Sequence, residues 1–245
     1  MNTGFIVYSI IMVWVLVIYG GLTYLVVKKR EYGLISGFGN RSEEEQQYLL
    51  ENGYVDATGR LLKWTFSMLL LTFLAGLLPV DLAFEVGLGL FFIVLLTGIV
   101  WIQRYEVPRK RKRNVWMTSI FSVAIFGGVV ALTITGLIDN TVTVEDSKVK
   151  ISGMYGGEWS LADIEKVEIL DDVPDVIVKS NGFASGGHLK GRFRLEDPYE
   201  GALLFIQADM KPSVYIKTKE DDLFINKEDE EETRRLYETL KESVR

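Results

Sequence analysis

The chain has 245 residues, with 27 Lys and Arg against 33 Asp and Glu, one His and no Cys. Disulfides, thiolate metal sites, Cys nucleophiles and a multi-His metal centre are therefore excluded. The net charge of −6 divides unevenly, since residues 1–138 hold 12 basic and 9 acidic residues and residues 139–245 hold 15 and 24.

An apolar, slightly basic segment thus precedes an acidic one. The acidic part lacks the basic surface that sequence-independent binding of nucleic acid needs. In chain order, residues 5–27 form an uncharged apolar run. As a helix it is long enough for a hydrocarbon core of about 30 Å. Its basic flank, Lys28-Lys29-Arg30, follows the run rather than preceding it, which reads as a retained span and not a cleaved signal.

Residues 28–63 contain turn-forming Gly33, Gly37, Gly39 and Asn40, then Ser42-Glu43-Glu44-Glu45, a capping-box pattern that opens a short helix ending near Asn52-Gly53. Shorter apolar runs at 64–80 and 86–102 flank an acidic connection, residues 81–85, behind Pro79. After Arg104 and Pro108 comes Arg109-Lys110-Arg111-Lys112-Arg113, and then a last apolar run at 115–138. The expectation is four transmembrane helices. Loops 28–63 and 103–114 carry the basic residues and lie in the cytoplasm, so the N-terminus and residues 139–245 face outside. Trp64, Trp101 and Trp116 stand at expected span ends, as interfacial indoles do, whereas Trp14 is mid-run. The basic row Arg109, Lys110, Arg111, Lys112 and Arg113 reads either as a topology anchor or as a seat for anionic lipid headgroups.

The first basic stop, the motif Leu34-Ile35-Ser36-Gly37-Phe38-Gly39-Asn40, the Ser42–Glu45 box and the short spans that follow resemble a small three-span membrane domain of unknown function from Gram-positive bacteria. The resemblance covers about residues 1–105 and implies membrane architecture alone.

Beyond residue 139 the apolar period changes from helical to alternating. Residues 141–145 and 148–151, separated by Asp146-Ser147, read as a hairpin. A short turn or helix opened by Ser160 covers residues 161–164. Further strands are expected at 166–170, 175–178, 189–195, 202–207, 214–217 and 223–225, with turns at Asn181-Gly182, Gly186-Gly187, Asp197-Pro198 and Lys211-Pro212. Acidic residues 228–232 then introduce a final helix with Leu236, Tyr237, Leu240 and Val244 on one side and Lys241 and Arg245 near its end. A mainly β barrel or sandwich closed by a C-terminal helix is the expected architecture.

This order, with the opening hairpin, Tyr155-Gly156-Gly157-Glu158-Trp159-Ser160, Asn181-Gly182, the strand holding Gly191-Arg192-Phe193 and the last helix, resembles the bacterial pleckstrin-homology-like domain over about residues 140–245. The resemblance implies a non-enzymatic binding or scaffold module. Phosphoinositide binding does not carry over, because no loop crowded with basic residues joins the first two strands.

Four basic residues alternate at His188, Lys190, Arg192 and Arg194. On a strand they share a face, either as an anion-binding ladder or as a solvated face balanced by nearby acids. Asn181 to Gly187 reads as a flexible hairpin tip or an anion cradle. Asp171, Asp172 and Asp175, and Glu220, Asp221 and Asp222, lack the spacing of a calcium loop. Ser185 and His188 have no nucleophile elbow around them. No cofactor motif is present.

With what the two resemblances imply, the expectation is a bacterial multi-pass membrane protein that is not an enzyme. Its partners would be membrane lipids and a protein or envelope component, with a homo-oligomer as a further option, in envelope stress or signalling. The alternative is an immunity factor or accessory subunit of a membrane complex acting through its helices.

Overall fold

The computed structural model describes residues 3–78, 80, 82–199 and 201–244. Asp81 of the acidic connection, Pro79 before it, and Arg245 lie outside the described residues. Two compact units divide the chain, Phe5–Val130 and one that begins at Ala131.

The helices are α1 (Thr3–Val27), α2 (Glu43–Glu51), α3 (Tyr54–Ala75), α4 (Ala83–Ile102) and α5 (Pro108–Leu137). Three segments among the described residues are long and apolar enough to cross a membrane: Phe5–Val27, Ala83–Tyr105 and Pro108–Leu137. The run at 64–80 is the later part of α3, whose first half carries Asp56, Arg60 and Lys63. The helix begins early because Gly53, at φ +82°, takes the left-handed conformation that both ends α2 and allows a new start. The last run, expected from 115, also starts earlier, at Pro108, where proline is favoured because its missing N–H would have no helical partner.

Contacts along α1 give the helix directions. Near its start, the Tyr8 ring lies 6.0 Å from Phe73 and 5.3 Å from Phe84. Midway, the Tyr19 hydroxyl meets Thr65 Oγ1 at 2.7 Å and its ring lies 6.2 Å from Phe91. At its end, Val26 packs in one cluster with Val55 and Ile102. Hence α1 and α4 run parallel and α3 runs antiparallel between them. Close packing of α3 on α4 rests on small residues: a Cβ on Gly87 would stand 2.6 Å from Thr72 Oγ1, and one on Gly98 would collide with the Leu61 side chain.

Ser42 caps α2 as expected, its Oγ accepting from the Glu45 N–H. The other half of the capping box is not formed. Glu45 turns its carboxylate to Lys110 at 2.6 Å, an ion-pair partner that the local pattern could not show.

The second unit holds strands β1 (Val142–Glu145), β2 (Lys148–Ile151), β3 (Gly157–Ser160), β4 (Ile164–Leu170), β5 (Val176–Ser185), β6 (His188–Leu195), β7 (Ala202–Gln207), β8 (Ser213–Thr218) and β9 (Asp222–Ile225), then helix α6 (Glu230–Ser243). The first three form one sheet in sequence order. The others form a six-stranded sheet ordered β4-β8-β9-β7-β6-β5, antiparallel except for the parallel pair β7 and β9. The opening hairpin has the expected register, Glu145 opposite Lys148, with Asp146 and Ser147 both at positive φ as a two-residue hairpin turn requires.

One core lies where Val149 and Ile151 of the small sheet meet Phe205, Val214, Ile216 and Ile225 of the large one, under Leu240 of α6. The opposite face of the large sheet buries Phe193, Leu204, Tyr215 and Phe224, covered in part by Tyr199. Asp229 caps α6 by accepting from the Glu232 N–H at 2.7 Å. β3 carries no strand pattern in its sequence, because Gly157-Glu158-Trp159-Ser160 holds a single apolar residue. Asn181-Gly182 is no turn but lies within β5 opposite Arg192 and Gly191, and the chain reverses at Gly186-Gly187 instead.

Candidate functional site

The basic row on β6 does alternate onto one face, but the face is occupied. Lys190 is 2% exposed, and its ammonium donates to the carbonyl of Ile138, just past the end of α5. Arg192 pairs with Asp221 at 2.8 Å, and Trp159 Nε1 donates to the other oxygen of the same carboxylate at 3.1 Å. His188 donates through Nδ1 to the Gly186 carbonyl at 3.1 Å, and its Nε2 lies 3.8 Å from Asp139. Arg194 is exposed, and its side chain has no partner among the described residues. Three members of the ladder are therefore held in intrachain contacts, and Arg194 at its end is exposed. Alternation identifies a strand face; it says nothing about what covers that face.

What covers it is the linker. Lys227 donates to the Asn140 carbonyl at 2.7 Å, and Gln207 Nε2 reaches Asp139 at 3.2 Å. The Asn140 amide donates to the carbonyls of Ser152 and Met154. The last turn of α5 carries Gly136, against which the Phe183 ring lies so closely that a Cβ would collide. Basic side chains at a helix C-terminus meet the negative end of its dipole and its unpaired carbonyls. Burial pulls the Lys190 ammonium below the usual lysine value; Asp139 opposes the fall and Lys227 adds to it.

Other candidates are also committed elsewhere. Asp221 serves Arg192 and Trp159, and Asp222 accepts from the Tyr215 hydroxyl at 2.5 Å. Asp172 pairs with Lys211. Asn181 to Ser185 is paired strand rather than an open cradle, and Ser185 faces His188 across the hairpin.

In the helical unit, the row Arg109, Lys110, Arg111, Lys112 and Arg113 is split by the helix it sits on. Lys110 binds Glu45, and Arg111 Nε donates to the Glu106 carbonyl at 3.2 Å. Arg109, Lys112 and Arg113 share the remaining face and are exposed. Lys28, Lys29, Arg30, Arg60, Lys63 and Arg104 are exposed at the same end of the unit, and the Arg104 guanidinium lies 4.8 Å over the Trp101 ring.

Beneath this rim is a buried ion pair that joins two segments distant in the chain. Arg41 binds Glu106 through two parallel hydrogen bonds of 2.7 Å, and the Glu106 side chain is wholly buried. Its carboxylate also accepts from the Val107 N–H at 2.8 Å and from Asn114 Nδ2 at 3.0 Å. Burial pushes the Glu106 carboxyl up, but the Arg41 and Val107 hydrogen bonds, the guanidinium charge and Asn114 outweigh it, and the group is held below its usual value. One signal was available: Glu106 is the lone acid among six basic residues in 103–114. The pair stands at the polar end of a cavity of about 550 Å3 whose apolar walls include Leu95, Ile99 and Phe121.

No protein-family model, curated protein or solved structure matches the chain.

Proposed function

We propose that the chain is a non-enzymatic membrane protein of four crossings whose pleckstrin-homology-like β domain is a binding or scaffold module at the outer membrane surface. The observation that carries this reading is helix direction. If α1 and α4 cross as parallel helices, the chain must return between them, and α3 is the antiparallel segment that joins their far ends. The charges of α3, Asp56, Arg60 and Lys63, fall in the half near the basic rim, where they need not enter hydrocarbon. The exposed basic residues of that rim favour the cytoplasm. A fourth crossing by α5 then carries residues 139–245 to the outer side, where the N-terminus also lies.

The terminal helix packed on the sheets supports the pleckstrin-homology-like reading, and the parallel β7 and β9 pair departs from a simple meander. External protease applied to intact cells should remove a C-terminal tag without lysis. Protection until lysis would overturn the four-crossing arrangement.

The second reading, an accessory subunit or immunity factor working through its helices, is favoured by α5. Ile120, Phe121, Val123 and Leu132 leave apolar surface exposed around much of that helix. Under it, a chain truncated after residue 138 keeps its partner in co-purification, an outcome the scaffold reading forbids.

A further inference from the structure

We infer that the cavity at the basic end of the helical unit binds a membrane amphiphile with an uncharged, hydroxyl-bearing headgroup, its acyl chain lying among the apolar helix walls. At about 550 Å3 the cavity falls within the usual range for a small-molecule site, roughly 300–1,000 Å3. Its lining is divided as an amphiphile is. Arg41, Glu106 and Asn114 stand at one end, and the other walls are mainly apolar, Leu95, Ile99 and Phe121 among them, with hydroxyls at Thr58 and Thr118.

Charge selects the headgroup. Arg41 and Glu106 neutralise one another through a two-fold hydrogen-bonded pair, so the polar end offers no free cation to a phosphate and no free carboxylate to an amine. Glu106 is wholly buried, so a headgroup would meet only the Arg41 guanidinium, which repels a cation and already gives both of its terminal nitrogens to Glu106 rather than to an incoming anion. Hydroxyls meet no such opposition and can exchange hydrogen bonds with the Asn114 amide and the Ser36 hydroxyl, which also line the cavity. Depth agrees with this assignment. Trp101 and Trp116 lie on the turns of α4 and α5 that carry the lining residues Ile102 and Met117, and exposed indoles mark the headgroup level of a bilayer. The polar end is thus at headgroup depth, and the apolar walls extend toward the hydrocarbon.

The test uses the full chain in phosphatidylcholine nanodiscs with a diazirine-bearing monoacylglycerol as probe, and peptide mass spectrometry locates the adducts. Adducts should concentrate on lining segments and be displaced by unlabelled monoolein but not by phosphatidylglycerol. Ile99→Trp and Thr118→Phe, each adding bulk to the cavity, should each lower labelling about tenfold, as when a side chain takes the ligand's volume. A thermal midpoint near that of the parent chain verifies that each variant is folded, and two positions on different helices guard against one failing. Labelling spread evenly over the lipid-facing helices, or unchanged in a folded filled variant, would overturn the site. Displacement by phosphatidylglycerol would overturn the uncharged headgroup.

Discussion

Replacing Arg41 by Leu should lower the stability of the helical unit by about 3–5 kcal/mol, the usual cost of leaving one partner of a buried ion pair uncompensated. Glu106 has no exposed side-chain surface and Arg41 only 13%, so water cannot take over the guanidinium's role. The Val107 and Asn114 hydrogen bonds would remain, but neither carries a positive charge. Arg41→Lys should recover little, because an ammonium cannot reproduce the planar two-bond fork. Changing both Arg41 and Glu106 to Leu should restore much of the loss, since a well-packed apolar pair removes the stranded charge. The thermal midpoint of the detergent-solubilised full chain, followed by circular dichroism, checks all three. An Arg41→Leu variant as stable as the parent would sink the argument. By comparison, the partly exposed Lys110 and Glu45 pair should contribute no more than about 1 kcal/mol.

The same pair sets a pH dependence. Glu106 is held below its ordinary value of 4.5 in the folded chain, so the unfolded chain binds the proton more readily. Its stabilising contribution is complete above the ordinary value and is lost as pH falls through the depressed one. The parent should therefore lose stability in acid more steeply than the variant with Leu at both positions.

Much of the architecture is legible because local rules and tertiary contacts agree. The hairpin at Asp146-Ser147, the capped α2 and the acidic start and apolar stripe of α6 each follow from a pattern only a few residues long. Legibility fails where a distant segment decides. Asn181-Gly182 has turn chemistry, yet pairing with β6 holds it extended and moves the reversal to Gly186-Gly187. The start of α3 was hidden because hydropathy marks where a helix becomes apolar, not where it begins. Arg41 and Glu106 are far apart in the chain, and nothing in either neighbourhood announces the other. Alternation places the basic row of β6 on one face, but what that face does depends on a helix end that arrives from another part of the chain.

That role makes a second large effect testable, one residue at a time. Lys190→Glu should destabilise the β unit by about 3–5 kcal/mol, because it places a carboxylate against the Ile138 carbonyl and beside Asp139 in a site only 2% exposed. Arg192→Glu loses a partly exposed pair with Asp221 and should cost about 1 kcal/mol. Arg194→Glu, at an exposed position with no side-chain partner among the described residues, should stay within about 0.5 kcal/mol of the parent. Limited proteolysis of the full chain, with cleavage within residues 139–245 as the readout, separates the three. Equal resistance in the Lys190 and Arg194 variants would show that the row is not the anchor of the α5 terminus. Alkaline pH offers an independent reading. Burial holds Lys190 below its ordinary value of 10.5, so between the two values the unfolded chain binds more protons than the folded one. The contribution of Lys190 to stability must therefore rise with pH across that window, and Lys190→Met should flatten the rise.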